Sequence, residues 1–186
     1  AVSTTEEGVS TGIIKFDERL IIVLDFEKIV TDINPETGLK MTDIEELGER
    51  HRIDVPILIA EDSPLLNKLI VDSLHKAGYA NLIHTENGQQ AYDVIQECKR
   101  EGTLKEHVQC VITDIEMPLM DGHRLTKLIK SDEETKDIPV VIFSSLVNEE
   151  MKRKGVSLGA NAQLSKPEIG NLVRVVDDLV LTGERS

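Results

Sequence analysis

Asp114 ends an apolar run, Val111-Ile112-Thr113-Asp114, and the chain continues Ile115-Glu116-Met117-Pro118-Leu119-Met120-Asp121-Gly122. A strand of such residues is buried on both faces, so it carries its last carboxylate to the carboxyl edge of a sheet. The Met-Pro and Asp-Gly steps then enforce an irregular loop over that carboxylate. Upstream, Pro56-Ile57-Leu58-Ile59-Ala60 is a second apolar run, and it ends in two acids, Glu61 and Asp62. Three carboxylates delivered by two strand ends make a candidate divalent-metal site, with one acid held ready for chemistry.

The elements that must position these groups follow from the pattern around them. From residue 55 onward, strand and helix signals alternate, with strands expected at 57–61, 82–85, 108–114, 140–144 and 162–165. Leu65, Leu66, Leu69, Ile70 and Leu74 form one helical apolar stripe, and Ile169, Leu172, Val173, Val176, Leu179 and Val180 form another. Ser63-Pro64 supplies an N-cap and a first-turn proline for the first helix. Five strands alternating with five helices predict a doubly wound α/β domain with a parallel sheet over 55–181, followed by a short tail, 182–186.

Residues 1–32 have a different character. Runs at 11–16 and 19–24, joined by Asp17-Glu18, predict a β-hairpin, and 25–30 suits a short helical turn. Two strands cannot bury a core alone, so this partial all-β segment is expected to be disordered without the rest of its domain, to pack on the α/β domain or to exchange with a second chain, which makes a dimer one expectation. Asn34-Pro35-Glu36-Thr37-Gly38 is a turn-rich break, and Thr42 with Glu45 matches a capping box. A short helix over 41–50 is therefore expected within a linker spanning 33–54. The chain opens on Ala1 without a methionine and reads as a piece of something longer.

Composition narrows the classes. A 40% hydrophobic, 30% charged chain of 186 residues is that of a soluble globular protein. A net charge of −13 works against non-specific nucleic-acid binding, since a phosphate backbone would be repelled. No apolar stretch approaches the roughly 20 residues that cross a bilayer, and no signal segment opens the chain, so it is expected not to be membrane-embedded. Cys98 and Cys110 have no ligand spacing and suit a reducing compartment, which points to the cytoplasm. His51, His75, His84, His107 and His123 are scattered, and His123, after the Asp121-Gly122 turn, is expected to be exposed. Lys152-Arg153-Lys154 reads as a solvated helix face in preference to a docking patch.

Glu61-Asp62, Asp114 with Met117-Pro118 and Asp121-Gly122, Ser144 after Val140-Val141-Ile142-Phe143, and Lys166-Pro167 together resemble the receiver domain of two-component response regulators. The resemblance covers roughly 55–181 and implies a flavodoxin-like fold with strand order 2-1-3-4-5. Residues 12–29, Gly-Ile-Ile-Lys-Phe-Asp-Glu-Arg-Leu-Ile-Ile-Val-Leu-Asp-Phe-Glu-Lys-Ile, resemble the end of a CheW-like coupling domain. A coupling domain followed by a receiver is the arrangement of CheV-type chemotaxis proteins. The whole chain is similar to the C-terminal portion of one.

The resemblance implies roles for particular residues. Asp114 would be the phosphoacceptor, attacking a phosphoryl group carried on a kinase histidine. Asp62, Asp114 and the Glu116 backbone carbonyl would hold Mg²⁺, with Glu61 contacting it through water. Lys166 would pair with Asp114 and then with its phosphoryl oxygens, and Ser144 would donate its hydroxyl to one of them, Ser145 being the competitor if the register slips by one. Glu116 and Leu146 would flank the path of the attacking water. One departure stands out: many members carry an aromatic residue two or three positions before the lysine, and the matching position here is Gln163.

The expected function is therefore a phosphorylatable signalling adaptor of bacterial chemotaxis that takes a phosphoryl group from a histidine kinase. It would modulate receptor–kinase coupling or act as a phosphate sink, with chemoreceptors and the chemotaxis kinase as partners, and would not be an enzyme acting on an outside substrate. A stand-alone or transcription-linked response regulator is an alternative, disfavoured by how little follows the last helix. A Mg²⁺-dependent phosphatase using Asp114 as nucleophile, with Glu116 two residues beyond it, is another.

Overall fold

Ile57 to Ala60 are all buried, with relative exposures of 1% or less, and this is the signature of a strand covered on both faces. The computed structural model describes residues 10–16, 19–24, 50–145, 148–166 and 169–181. Along them run β1 (Ser10–Phe16), β2 (Arg19–Leu24), β3 (Ile57–Ala60), α1 (Pro64–Lys76), β4 (Leu82–Thr85), α2 (Gly88–Glu101) and α3 (Leu104–His107). Then follow β5 (Cys110–Thr113), α4 (Gly122–Ser131), β6 (Val140–Ser144), α5 (Glu149–Ser157), β7 (Ala162–Ser165) and α6 (Ile169–Val180).

β3 to β7 form one parallel sheet in the order β4-β3-β5-β6-β7. This is the doubly wound, flavodoxin-like arrangement expected from the sequence. One apolar layer joins the sheet to α1 and α6 through Ile57, Ile59, Ile70, Leu74, Val173 and Val176. The other joins it to α2 and α4 through Leu58, Ala60, Ile95, Val111, Leu125 and Ile129. Alternate residues of β3 thus serve opposite faces, which holds the strand in a single register.

Polar side chains cap the helix starts, at Ser63 as the sequence suggested and at three further positions it had not marked. Ser63 Oγ accepts from the Leu66 amide ahead of Pro64, and the carboxylate of Asp121 accepts from the Arg124 amide at 2.7 Å. Asn87 and Asn148 cap α2 and α5 in the same way. The one-turn α3 was not expected, and it shortens the strand read over 108–114. The Val108 amide donates to Leu104 at the end of that turn, so the regular strand begins at Cys110. The parallel ladder nevertheless continues past its ends, with Gln109 N–H bonded to Pro56 O and Asp114 N–H to Ala60 O.

β1 and β2 pair antiparallel over the two runs read as a hairpin, with Phe16 opposite Arg19. The turn expected at 25–30 and most of the linker helix expected at 41–50 lie outside the described residues, as does Leu146. No described helix is long and apolar enough to cross a membrane. Both cysteines are buried free thiols, and burial pushes the Cys110 thiol up to about 12.

Candidate functional site

Strand register brings the acids together. Ile57 pairs with Cys110 and Ala60 with Thr113, so Glu61 and Asp114, the next residues on each chain, emerge side by side at the carboxyl edge of the sheet. Asp62 follows at the start of the loop into α1. One carboxylate oxygen from each of Glu61, Asp62 and Asp114 lies within 4.8 Å of the others. Asp62 is exposed, whereas Glu61 and Asp114 are buried.

Two contacts fix Asp114. Its Oδ1 accepts the Ile115 backbone N–H at 2.6 Å, and its Oδ2 accepts from Lys166 Nζ at 2.8 Å. Lys166 reaches the pair from the far side of the sheet because β7 ends there, with Ser144 of β6 opposite Ser165. Its ammonium also lies 3.3 Å from Glu61 Oε1 and 3.0 Å from Glu61 Oε2, the latter outside hydrogen-bond geometry. Glu61 Oε1 further accepts the Ser63 amide at 3.1 Å.

These contacts set the charges. Burial pushes the Glu61 carboxyl above its ordinary range; the Lys166 charge and hydrogen bond oppose this, and the Asp114 charge adds to it. Burial works to lower the Lys166 pKa, but the hydrogen bond to Asp114 and the charges of Asp114 and Glu61 outweigh it, so the ammonium stays above its usual value. The result is a lysinium clasped between two buried carboxylates.

Ser144 is buried at the end of β6 and already engaged by neighbouring groups, while Ser145 is exposed. The register thus turns Ser144, not its neighbour, inward. Glu116 is exposed and lines an open cleft of about 460 Å³ together with Asp62, Asp121, His123, Met151 and Lys154. Gln163 engages α5, its Nε2 donating to the Lys152 carbonyl at 2.7 Å.

His123 corrects the sequence reading: it is 4% exposed, not solvated, and its Nε2 is buried with no hydrogen-bond partner among the described residues. The Asp121 cap begins α4 at once, so His123 belongs to the inward face that also buries Gly122, Leu125, Thr126 and Ile129. Burial lowers the His123 pKa and the Lys154 charge lowers it further, with Asp121 opposing. Lys152, Arg153 and Lys154 are exposed on α5, as the sequence suggested.

Two contributors escaped the sequence. The Ile115 amide is a backbone donor and leaves no signature in residue type. Gly122 reads as a turn glycine, yet its φ is not in the left-handed region. It is glycine because a Cβ there would overlap the Asp114 carbonyl oxygen. The Asp-Gly step after a strand was the available signal, read for the wrong reason.

The donor set is hard, acidic and oxygen-rich, which suits Mg²⁺ or a cation of similar preference and not a thiophilic metal. A nucleophilic carboxylate flanked by a lysinium, a buried hydroxyl and such a cation site is equipped to accept a phosphoryl group. Residues 57–177 match the response regulator receiver domain, and the chain belongs to that family. It is similar to the chemotaxis protein CheV2 of Helicobacter pylori, 33% identical over 172 residues that cover 88% of this chain and 51% of that protein. CheV1 of the same organism is 33% identical over 165 residues, covering 87% and 49%. The chain thus spans about half the length of these relatives. Among solved structures, a putative response regulator from Chloroflexus aurantiacus superposes with a TM-score of 0.61 at 25% identity, covering 69% of this chain and 99% of that one.

Proposed function

We propose that this chain is a phosphorylatable adaptor of bacterial chemotaxis whose receiver takes a phosphoryl group from a histidine kinase onto Asp114. The observation that carries the reading is the clasp of Asp114 between the Ile115 amide and Lys166, beside two further acids. An Asp114 carboxylate oxygen forms the new bond to phosphorus as the bond to the donor imidazole nitrogen breaks, the nitrogen keeping the electron pair. Lys166 then shifts its hydrogen bond from the carboxylate to a phosphoryl oxygen, and Ser144 donates its hydroxyl to another. Mg²⁺, held by Asp62, Asp114 and the Glu116 carbonyl, with Glu61 contacting it through water, would neutralise repulsion between the acids and the incoming phosphoryl group.

The chemotaxis assignment rests on the relatives. The likeness to CheV2 runs over 172 residues, more than the receiver at 57–177 can hold, so part of it lies outside the receiver. On this reading the N-terminal segment belongs to a CheW-like coupling domain that tethers the protein to chemoreceptors and their kinase in the cytoplasm. Phosphorylation alters that coupling or drains phosphate from the kinase. The hairpin needs a partner to bury a face, and exchange with a second copy would supply one.

Incubation with Mg²⁺ and acetyl phosphate, followed by intact mass measurement, tests the reading. One added phosphoryl group is expected, absent in Asp114→Asn and in chelator. An unchanged mass gain in Asp114→Asn would overturn it, as would multiple turnovers of a generic phosphoester per chain.

A further inference from the structure

β4 is an edge of the parallel sheet and has only four residues, so the chain beside it outruns it. Ala60 pairs with Thr85, and the Glu61 N–H makes the last rung of the ladder, to Thr85 O at 3.0 Å. In a parallel ladder the next rung joins the Glu61 carbonyl to the amide two residues beyond Thr85, that of Asn87. The chain has turned away by then: Asn87 caps α2 through the Gln90 amide, and the Gln90 side chain accepts the Glu86 N–H. Glu61 is 1% exposed, so its carbonyl needs a donor from within the protein.

His84 supplies it. The imidazole Nε2 lies 3.0 Å from Glu61 O, and because a carbonyl can only accept, Nε2 carries the hydrogen. His84 is itself exposed, opposite Ile59 on the rim of the sheet. A Val or Ile would suit the strand there as well but offers no donor.

The bond bears on the acids through the backbone. The Glu61 carbonyl and the Asp62 amide form one rigid peptide unit, so the tilt of that plane sets where the Asp62 side chain leaves the chain. Glu61 and Asp114 are aimed by bonds to their own carboxylates, from the Ser63 N–H, Lys166 and the Ile115 N–H. None of these bonds reaches the Asp62 carboxylate, which is exposed yet stands within 4.8 Å of the other two.

We propose that His84 is a positioning residue of the phosphoryl site: its Nε2–H fixes the Glu61–Asp62 peptide and so aims the Asp62 carboxylate at the cation that serves Asp114. The role rests on the proposed function, in which that cation is Mg²⁺.

A Mg²⁺ titration of the full chain without phosphodonor, followed by amide NMR shifts, tests the role apart from phosphorylation. His84→Phe keeps a ring and loses the donor, and its Mg²⁺ Kd should rise about five-fold, the effect of one lost hydrogen bond. His84→Gln, whose amide nitrogen can take the place of Nε2, should stay within about two-fold of wild type. His84→Thr, which suits a strand but is too short to reach, should match His84→Phe and replaces it if the larger ring disturbs the edge. A Kd within about two-fold of wild type in the donor-free variants overturns the role, as does equal weakening in His84→Gln. With acetyl phosphate, the Mg²⁺ concentration for half-maximal phosphorylation should rise by the same factor in His84→Phe, while the rate at saturating Mg²⁺ is kept. A bond that merely steadies the fold lowers the urea midpoint of the metal-free protein and leaves the Mg²⁺ requirement alone. A lower saturating rate with an unchanged Mg²⁺ requirement also overturns the role. Wild type that binds Mg²⁺ yet gains no phosphoryl group refutes the proposed function instead, and the titration still decides His84. Wild type that binds no Mg²⁺ overturns both.

Discussion

The Arg50 guanidinium grips the Asp177 carboxylate with both terminal nitrogens although the two residues lie 127 positions apart. Tyr79 Oη donates to the same carboxylate at 2.7 Å, and Arg50 Nη1 also donates to Ala77 O at 3.0 Å. The segment entering the receiver is thereby fastened to α6 and to the turn after α1, where Ile53 forms a parallel bridge with Tyr79. The hydrogen bond to Asp177 holds the Arg50 pKa above its ordinary value, even against burial. Arg50→Ala should lower unfolding free energy by about 2 kcal/mol, and Tyr79→Phe by about 1 kcal/mol. Urea midpoints provide the check, and a shift below about 0.5 kcal/mol for Arg50→Ala would show the clamp to be ornamental.

His123 should impose a pH dependence with a defined sign. Its folded pKa lies below the unfolded value of 6.5 because burial disfavours the imidazolium. Above 6.5 both states are neutral and its contribution is constant. As pH falls below 6.5 the unfolded chain binds the proton first, so stability is lost until the folded pKa is passed. The urea stability of wild type relative to His123→Leu, measured from about pH 5 to 8, should fall towards the acid side. A flat difference would mean that the buried imidazole protonates freely.

Mg²⁺ should stabilise the wild type by linkage, by about 2.7 kcal/mol at a hundredfold excess over Kd. Asp62→Asn and Asp114→Asn should each abolish most of that increment, measured as a thermal shift against chelator. An undiminished shift in both variants would move the cation away from these acids.

Lys166→Ala leaves Glu61 and Asp114 buried without their shared cation, so it should cost about 3 kcal/mol at neutral pH. Part of this should return as pH is lowered, because Glu61, already raised by burial, takes up a proton first. Equal destabilisation at pH 5 and at about pH 8 would contradict the clasp.

Leu119 is the one described non-glycine residue with a positive φ, at 65°, and it is 82% exposed. Its side chain contributes little burial while its backbone stands in the left-handed region. Leu119→Gly should raise stability by about 0.5–1 kcal/mol, read from thermal melts. A loss of stability would reveal an unseen role for the leucine.

Much of this architecture was legible because period and punctuation agreed. The apolar runs at 57–60 and 110–113 read as doubly covered strands, and Ser63-Pro64 marked the start of its helix. Strand ends then placed Glu61, Asp62, Asp114, Ser144 and Lys166 on one edge of the sheet, since all five follow or close a strand in a parallel array. What stayed hidden depended on distance in the chain or on atoms common to every residue. Arg50 and Asp177 carry no local mark of each other, and the Ile115 amide is invisible in sequence. His123 was misjudged because an Asp-Gly step suggests a solvated turn, and only the packing of α4 shows that the next residue faces inward.

Gly122 has one more consequence. It has no functional group, yet any other amino acid at that position would drive a carbon into the Asp114 carbonyl. The tightest steric demand at this site thus falls on a residue that has no functional group to offer. A methyl group there would have to push the Asp114 backbone aside while leaving every charge of the site in place.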